Sequence, residues 1–509
     1  MSGAGAPYGA ARARGGRARG GELAIVLHSH MPYVEGFGTW PFGEEWLWEA
    51  MAGSYLPLLD VLERGAPLTL SLTPVLCDQL EADGVPERFA AFVRDIRRET
   101  HARDAAGLRA AGEVALALAV ERAGQDYERA LERLLERGGD LLALLAPHAR
   151  WTSSATHAIL PLLLSDAGLR LQVQSGIDSH RRRCGDWRGG FWLPECAYAP
   201  WLEHGLHAAG VRVVCVELTE RLGLGAWEHL RPIATESGMA LVPIDRATIS
   251  LVWSEGGYPA GGAYRDYHRL TTHHHNPWDN AGRPYDHERA LAQARADAAD
   301  FVARTQARLR SARSEARALL PGGGLAVCAL DTELLGHWWY EGVAWLEAVV
   351  EECSRQGLEL VALDDALERH EPWPAPACDH DAGAHDPSCA RVAAAAGDWR
   401  ASSWGAGGDL STWSAPVVGE LAFGAREAEL EVLRAGPRAS RAAVRELLAL
   451  QSSDWAFLIS RELAESYGRE RFGAHRAQLK RALADERVPA GDPQRNLAVD
   501  AHPSMLLVP

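Results

Sequence analysis

At 509 residues, with 47% apolar and 24% charged, the chain has an ordinary globular composition and the length of a large catalytic domain plus a second one. A formal net charge of −16 makes DNA or RNA a poor partner, since an acidic surface gains nothing from counterion release. No apolar run approaches the roughly 20 residues of a membrane-spanning helix, so a membrane partner is not expected either.

Residues 1–21 are rich in Arg, Gly and Ala and read as a disordered N-terminal extension; Leu23–Leu27 is too short for a signal-peptide core. Short β-rich runs then recur along the chain. Glu22–Leu27 leads into His28, and Leu68–Leu72 follows. Arg150–Ser153 precedes His157, Gly190–Leu193 runs into Glu195, and Val211–Val216 ends at Glu217. Thr248–Trp253, Leu325–Leu330 (ending at Asp331) and Leu358–Leu363 complete the series. Between them, segments of helical period dominate, most clearly about residues 84–147. Strands alternating with helices predict a parallel sheet, and chemistry-bearing residues where apolar strands end are the habit of β/α barrels. The catalytic barrel is therefore expected over 22–373. A patternless linker or insertion follows over 374–403, then an α-helical domain over 404–490 and a tail over 491–509.

The eight cysteines form no dense framework, and Cys215 and Cys328 sit inside apolar runs as buried thiols, which fits a reducing, cytoplasmic setting. The 18 tryptophans offer flat faces for sugar stacking as well as core packing.

Two segments concentrate chemistry. WLPECAY (192–198) holds Glu195 at a strand end, and LDTELLGHWWYEG (330–342) places Asp331, Glu333, His337 and two indoles in one turn. Carboxyls at separate strand ends suit glycoside chemistry, one attacking the anomeric carbon while the other protonates the leaving oxygen. His28 and His30 form an H-x-H pair that can bind metal or sugar hydroxyls; His157, Glu195 or Asp331 could complete a metal set. His273, His274 and His275 read as solvated loop residues, and Cys378, His380, His385 and Cys389 as an irregular Cys/His cluster.

These segments together resemble glycoside hydrolase family 57, in its 1,4-α-glucan branching-enzyme group, from about residue 22 to 490. LHSHMPYV with EEWLWEA and YLPLL resembles the family's first motif, ATHAILPLL the second, WLPECAY the third and LDTELLGHWW the fourth. VWSEGGYP (252–259), WGAGGDLSTW (404–413) and SSDWAFLI (452–459) resemble branching-enzyme segments. The resemblance implies a (β/α)7-type barrel with a helical insertion and a C-terminal helical domain. It implies retaining transglycosylation on α-1,4-glucan such as glycogen or amylose, without metal or other cofactor. Glu195 would be the nucleophile and Asp331 the general acid/base. His28, His30, His157, Trp253, His337, Trp404, Trp413 and Trp455 would hold the glucan.

The chain departs from the family pattern after Val211–Val216. A long loop tipped by a tyrosine is replaced by LTERLGLGAWEHLRPI (218–233), which has none, and SAPVVGELAFG (414–424) replaces an Asn-Asp-Trp pattern. Less cover over the site predicts a larger share of hydrolysis. An α-1,4-glucan hydrolase or 4-α-glucanotransferase is the alternative within the family. A metal-dependent deacetylase on a similar barrel and a silent glycan-binding protein are the alternatives outside it.

Overall fold

The computed structural model describes residues 20–36, 38, 43–320, 322–373, 400–484 and 496–506. The expected N-terminal extension and linker, and the cluster Cys378–Cys389, fall almost wholly outside these residues.

Among the described residues one sheet organises the barrel. Its strands are β1 (Glu22–Ser29), β2 (Thr69–Leu72), β3 (Ala149–Ser153), β4 (Gly190–Trp192), β5 (Val213–Val216), β6 (Ile233–Ala234), β7 (Ala240–Pro243), β8 (Leu325–Asp331) and β9 (Glu359–Val361). They run in the order β6-β7-β5-β4-β3-β2-β1-β8, with β9 beside the first half of β1. Setting aside antiparallel β6 and the side strand β9, seven of the nine are parallel along one path. The path curls back on itself, for the Asp245 N–H just after β7 donates to the Val327 carbonyl of β8 at 2.9 Å. β1 lies within the sheet between β2 and β8, is buried at all eight positions and reads as an almost unbroken apolar run.

The sequence reading of Thr248–Trp253 as a strand is wrong. The Asp245 carbonyl accepts from both Thr248 and Ile249 N–H groups, and its carboxylate accepts from the Thr248 hydroxyl. These bonds wind Arg246–Ile249 into a helical turn. The strand at this place is Ala240–Pro243, four residues ended by a proline and too short to stand out in the sequence.

A helical region grows between β2 and β3, chiefly Arg98–Ala110 and the amphipathic helix Val114–Glu136, which buries Leu116, Val120, Leu131 and Leu134. The C-terminal helices Gly419–Ala435, Arg441–Leu450, Ser453–Ser460 and Glu465–Leu483 pack around Val432, Leu447, Ile459 and Leu479. That core takes in Tyr33, Ala155, Ile159 and Ala197, which lie just beyond β1, β3 and β4. The helical domain is thereby clamped over the C-terminal ends of the strands. Residues 496–506, read from sequence as tail, are packed as well. Leu497 and Ala501 are fully buried, and Asn496 donates to the Asp78 carbonyl at 2.6 Å.

Candidate active site

The strand ends bring the carboxyls together. His28 and Asp331 are register partners on neighbouring strands β1 and β8, and Ser29 bonds Thr332 at 2.7 Å one step further along. Glu195 follows β4 in a tight turn with φ of 61°, and His157 after β3 has φ of 58°. Left-handed backbone at a non-glycine residue costs free energy and recurs where side-chain direction is functional.

The helical domain completes this site. Residues 402–404 are strapped along the Glu195 turn by paired backbone bonds between Tyr198 and Ser402, both 2.9 Å, and by the Trp404 N–H donating to the Glu195 carbonyl at 2.9 Å. The Trp404 indole then donates to Glu195 Oε2 at 2.7 Å. Ser453 bonds His157 Nδ1 at 2.9 Å, and Asp454 bonds His30 Nε2 at 2.8 Å. Glu333, on the turn after Asp331, accepts from the His30 N–H at 3.1 Å and from the Tyr55 hydroxyl.

The histidines form a layered stack. His28 lies against the Trp192 ring with centroids 4.6 Å apart, and His30 against His157 at 3.9 Å. His28 Nε2 meets His157 Nε2 at 3.0 Å, so one ring must donate and the other accept. His28 Nδ1 is buried without a partner. An orphaned lone pair is cheaper than an orphaned N–H, so the favoured chain runs from His28 Nε2–H to His157 Nε2 and from His157 Nδ1–H to Ser453. Burial, reinforced by neighbouring histidine charge, holds both rings well below the usual histidine pKa. For His30, burial opposes the charge, but Asp454, then Glu195 and Asp331, outweigh it and raise its pKa. Its protonated form would face Asp454, Glu195 and Asp331.

Burial first, and then the charge of Asp331, push Glu195 up to about 8. Burial first, and then Glu333, push Asp331 up to about 7. The Trp404 hydrogen bond acts the other way on Glu195, because an indole N–H can only donate and so favours the anion. Among the described residues no side-chain donor bonds Asp331.

The structure sorts the residues expected to hold substrate. Glu195, Asp331, His30, His157 and Trp404 share one site. His28 and His157 are 1% and 2% exposed, and His28 sits behind His157 and His30, bonded to the first and stacked on the second. Trp413 is corrected too. It is 2% exposed and lies beneath Gly405, whose added Cβ would come within 2.9 Å of the indole. It supports the Trp404 turn from below instead of facing the cleft. Trp455 is 1% exposed and donates to the Ala449 carbonyl at 2.8 Å, which makes it core. Trp253 stands 47% exposed on the turn after β7, open to stacking but bonded to none of the cluster among the described residues. His337 faces a different cleft, described below. Ser453, Asp454 and Tyr55 were missed; SSDW was legible as a segment, but nothing in the sequence aimed its hydroxyl and carboxylate at histidines so far away. The solvated reading of His275 also fails, since it is 5% exposed and stacked on His101 at 3.7 Å.

Ring nitrogens of His30 and His157 and an Asp454 oxygen lie within 4.8 Å of one another and could hold a cation. A metal there would have to displace the 2.8 Å His30–Asp454 bond and the Ser453 or His28 bond of His157. We expect activity to survive exhaustive EDTA treatment. Stoichiometric bound zinc, with activity lost on its removal, would restore the metal-hydrolase reading.

Comparison with known proteins agrees with this geometry. Residues 151–374 match the model of glycosyl hydrolase family 57, and residues 423–494 match that of the 1,4-alpha-glucan branching enzyme C-terminal domain. A probable 1,4-alpha-glucan branching enzyme of Mycobacterium tuberculosis is 31% identical over 91% of this chain and 92% of its own length. A 1,4-alpha-glucan branching enzyme of Thermococcus kodakarensis is 29% identical over 92% of this chain and 74% of its own. The crystal structure of a family 57 branching enzyme from Pyrococcus horikoshii superimposes with a TM-score of 0.82 at 28% identity, covering 96% of this chain and 97% of that one. An α-amylase of Thermotoga maritima shares the fold at a TM-score of 0.74 and 22% identity, covering 95% and 99% of the two chains. The chain belongs to glycosyl hydrolase family 57.

Proposed function

We propose that this protein is a retaining 1,4-α-glucan branching enzyme, with Glu195 as nucleophile and Asp331 as general acid/base. The observation that carries this reading is that the helical domain, whose model is specific to branching enzymes, supplies Ser453 and Asp454 to the same histidines that flank the barrel carboxyls.

Burial pushes both carboxyls up toward neutrality, so a carboxylic acid can persist there. The larger upward push falls on Glu195, yet Trp404 and His30 both favour its anion. Retaining chemistry requires the arrangement with Glu195 ionised and the proton on Asp331, the one that the Trp404 donor favours. Glu195 attacks C1 of an α-1,4 linkage as Asp331 protonates the departing O4, leaving a glycosyl–Glu195 ester. Asp331, now ionised, takes the proton of an incoming 6-hydroxyl, whose oxygen displaces Glu195 and forms the α-1,6 branch.

A second reading rests on the segment after β5. Within residues 218–233, which hold no tyrosine, residues 227–230 are packed down while Leu224 stands 66% exposed. Trp227 and Leu230 are 5% and 0% exposed, and Trp227 packs on the Trp373 ring at 5.4 Å. Water at about 55 M competes for the ester unless an acceptor is held at high effective molarity. Given amylose, the enzyme should form α-1,6 linkages with a measurable parallel rise in reducing ends. Reducing ends without any α-1,6 linkage would make it a hydrolase.

A further inference from the structure

A second cleft of about 340 Å³ opens between the helix Val114–Glu136, the segment 265–276 and the Gly336–Tyr340 turn. That turn is pressed close, since a Cβ on Gly336 (φ 105°) would fall 1.9 Å from the Gly53 carbonyl oxygen. The volume lies at the low end of the roughly 300–1,000 Å³ of small-ligand pockets. None of Glu195, Asp331, His30, His157 or Trp404 lines it.

Its lining is specific. Trp338, 44% exposed, and Tyr267 lie 4.6 Å apart at 38° and present adjacent aromatic faces at the mouth. Inside, Arg265 lies over the Tyr340 ring at 3.6 Å, and its Nε and Nη2 are buried without hydrogen-bond partners. His275 is 95% removed from solvent, and its Nε2 has no hydrogen-bond partner, the nearest carboxylate oxygen on Asp104 being 3.9 Å away. Its other nitrogen bonds the Thr100 backbone, and burial, then Arg97, lower its pKa to about 4. It is therefore neutral near pH 7, with Nε2 a bare acceptor. The cleft thus offers unsatisfied donors and an unsatisfied acceptor beneath aromatic faces. Glu45, Glu49 and Asp126 also line it, and Arg97 is already paired with Glu45 and Glu49. An anion would meet these carboxylates, and a cation would meet Arg97 and Arg265. A neutral polyol, whose hydroxyls both donate and accept, satisfies all of them.

We propose that this cleft is a second carbohydrate-binding site, taking a short stretch of α-glucan between Trp338 and Arg265. The inference rests on the reading of the protein as an α-glucan enzyme, and the site would hold a polymer chain that the catalytic carboxyls do not.

The test uses the full chain in native gels containing amylopectin. Trp338→Ala should weaken retardation by roughly five- to tenfold in apparent Kd, the scale of losing one aromatic stacking contact. Trp338→Phe should recover most of it, and wild-type crystals soaked in maltotriose should show sugar between Trp338 and Arg265. A folded Trp338→Ala protein with wild-type retardation would overturn the site, as would sugar bound only beside Glu195. If the wild type converts amylose but Trp338→Ala binds polymer normally, the second site falls and the enzyme reading stands. A wild type neither retarded by nor active on α-glucan would overturn both.

Discussion

Glu195→Gln should abolish branching and hydrolysis together, lowering kcat by about 10⁴-fold or more, roughly 5 kcal/mol or more in the barrier. On the proposed mechanism both reactions pass through the glycosyl–Glu195 ester and differ only in the oxygen that breaks it. The amide is isosteric, can still accept the Trp404 indole N–H, and makes no new demand on the backbone at φ of 61°. Glucan binding should therefore survive, and native-gel retardation would show it. A variant that keeps activity within tenfold of wild type, or that loses branching but hydrolyses normally, would remove Glu195 from the nucleophile's place.

Much of this site was legible in the sequence because of one regularity: in a parallel barrel an apolar run that stops at a carboxyl delivers that carboxyl to the common rim. The regularity picked out Glu195 and Asp331 and failed where an element was too short or too local to carry the pattern, as with β7. It also says nothing about which residues return to the rim from elsewhere. Asp454 reaches His30 across 424 positions of sequence, and only the packing of the helical domain creates the contact. The tryptophans make the same point. Trp404 and Trp413 stand symmetrically about a glycine-rich turn in the sequence, yet one bonds Glu195 and the other lies underneath the turn. Spacing identifies the turn but not the side of it that faces water. His275 reads as solvated from its polar neighbours, and only the stacking on His101, brought by a helix from far earlier in the chain, buries it.

The helical domain also changes the electrostatic problem. Left open to water, the rim carboxyls would ionise with ordinary pKa values and no proton would be available near pH 7 for a leaving oxygen. Covering the rim removes water and raises them, and the Trp404 hydrogen bond opposes that rise at Glu195. On the proposed mechanism, desolvation that is costly to the fold is what makes a proton available near pH 7.

That cost leads to a prediction on Asp331→Asn, with two signs. Removing the proton donor should lower kcat by about 10²–10⁴-fold. In the wild type, activity should follow a bell, falling at acid pH as Glu195 is protonated and at alkaline pH as Asp331 loses its proton. Stability should move in the opposite direction. Asp331 titrates near 7 in the folded protein against an ordinary 3.8, so between these values the folded state holds a proton that the unfolded state has lost. Wild-type stability from this group is therefore complete below about pH 4 and declines as pH rises through 7. Asparagine has no proton to lose. The variant should match wild type near pH 4 and exceed it at pH 8 by an amount on the order of a few kcal/mol, read as a higher Tm. The comparison is made by thermal melts at both pH values beside amylose turnover at pH 7. A variant less stable than wild type at pH 8 would mean that Asp331 is held by favourable contacts instead of being strained by burial. Undiminished turnover would mean that another group donates the proton.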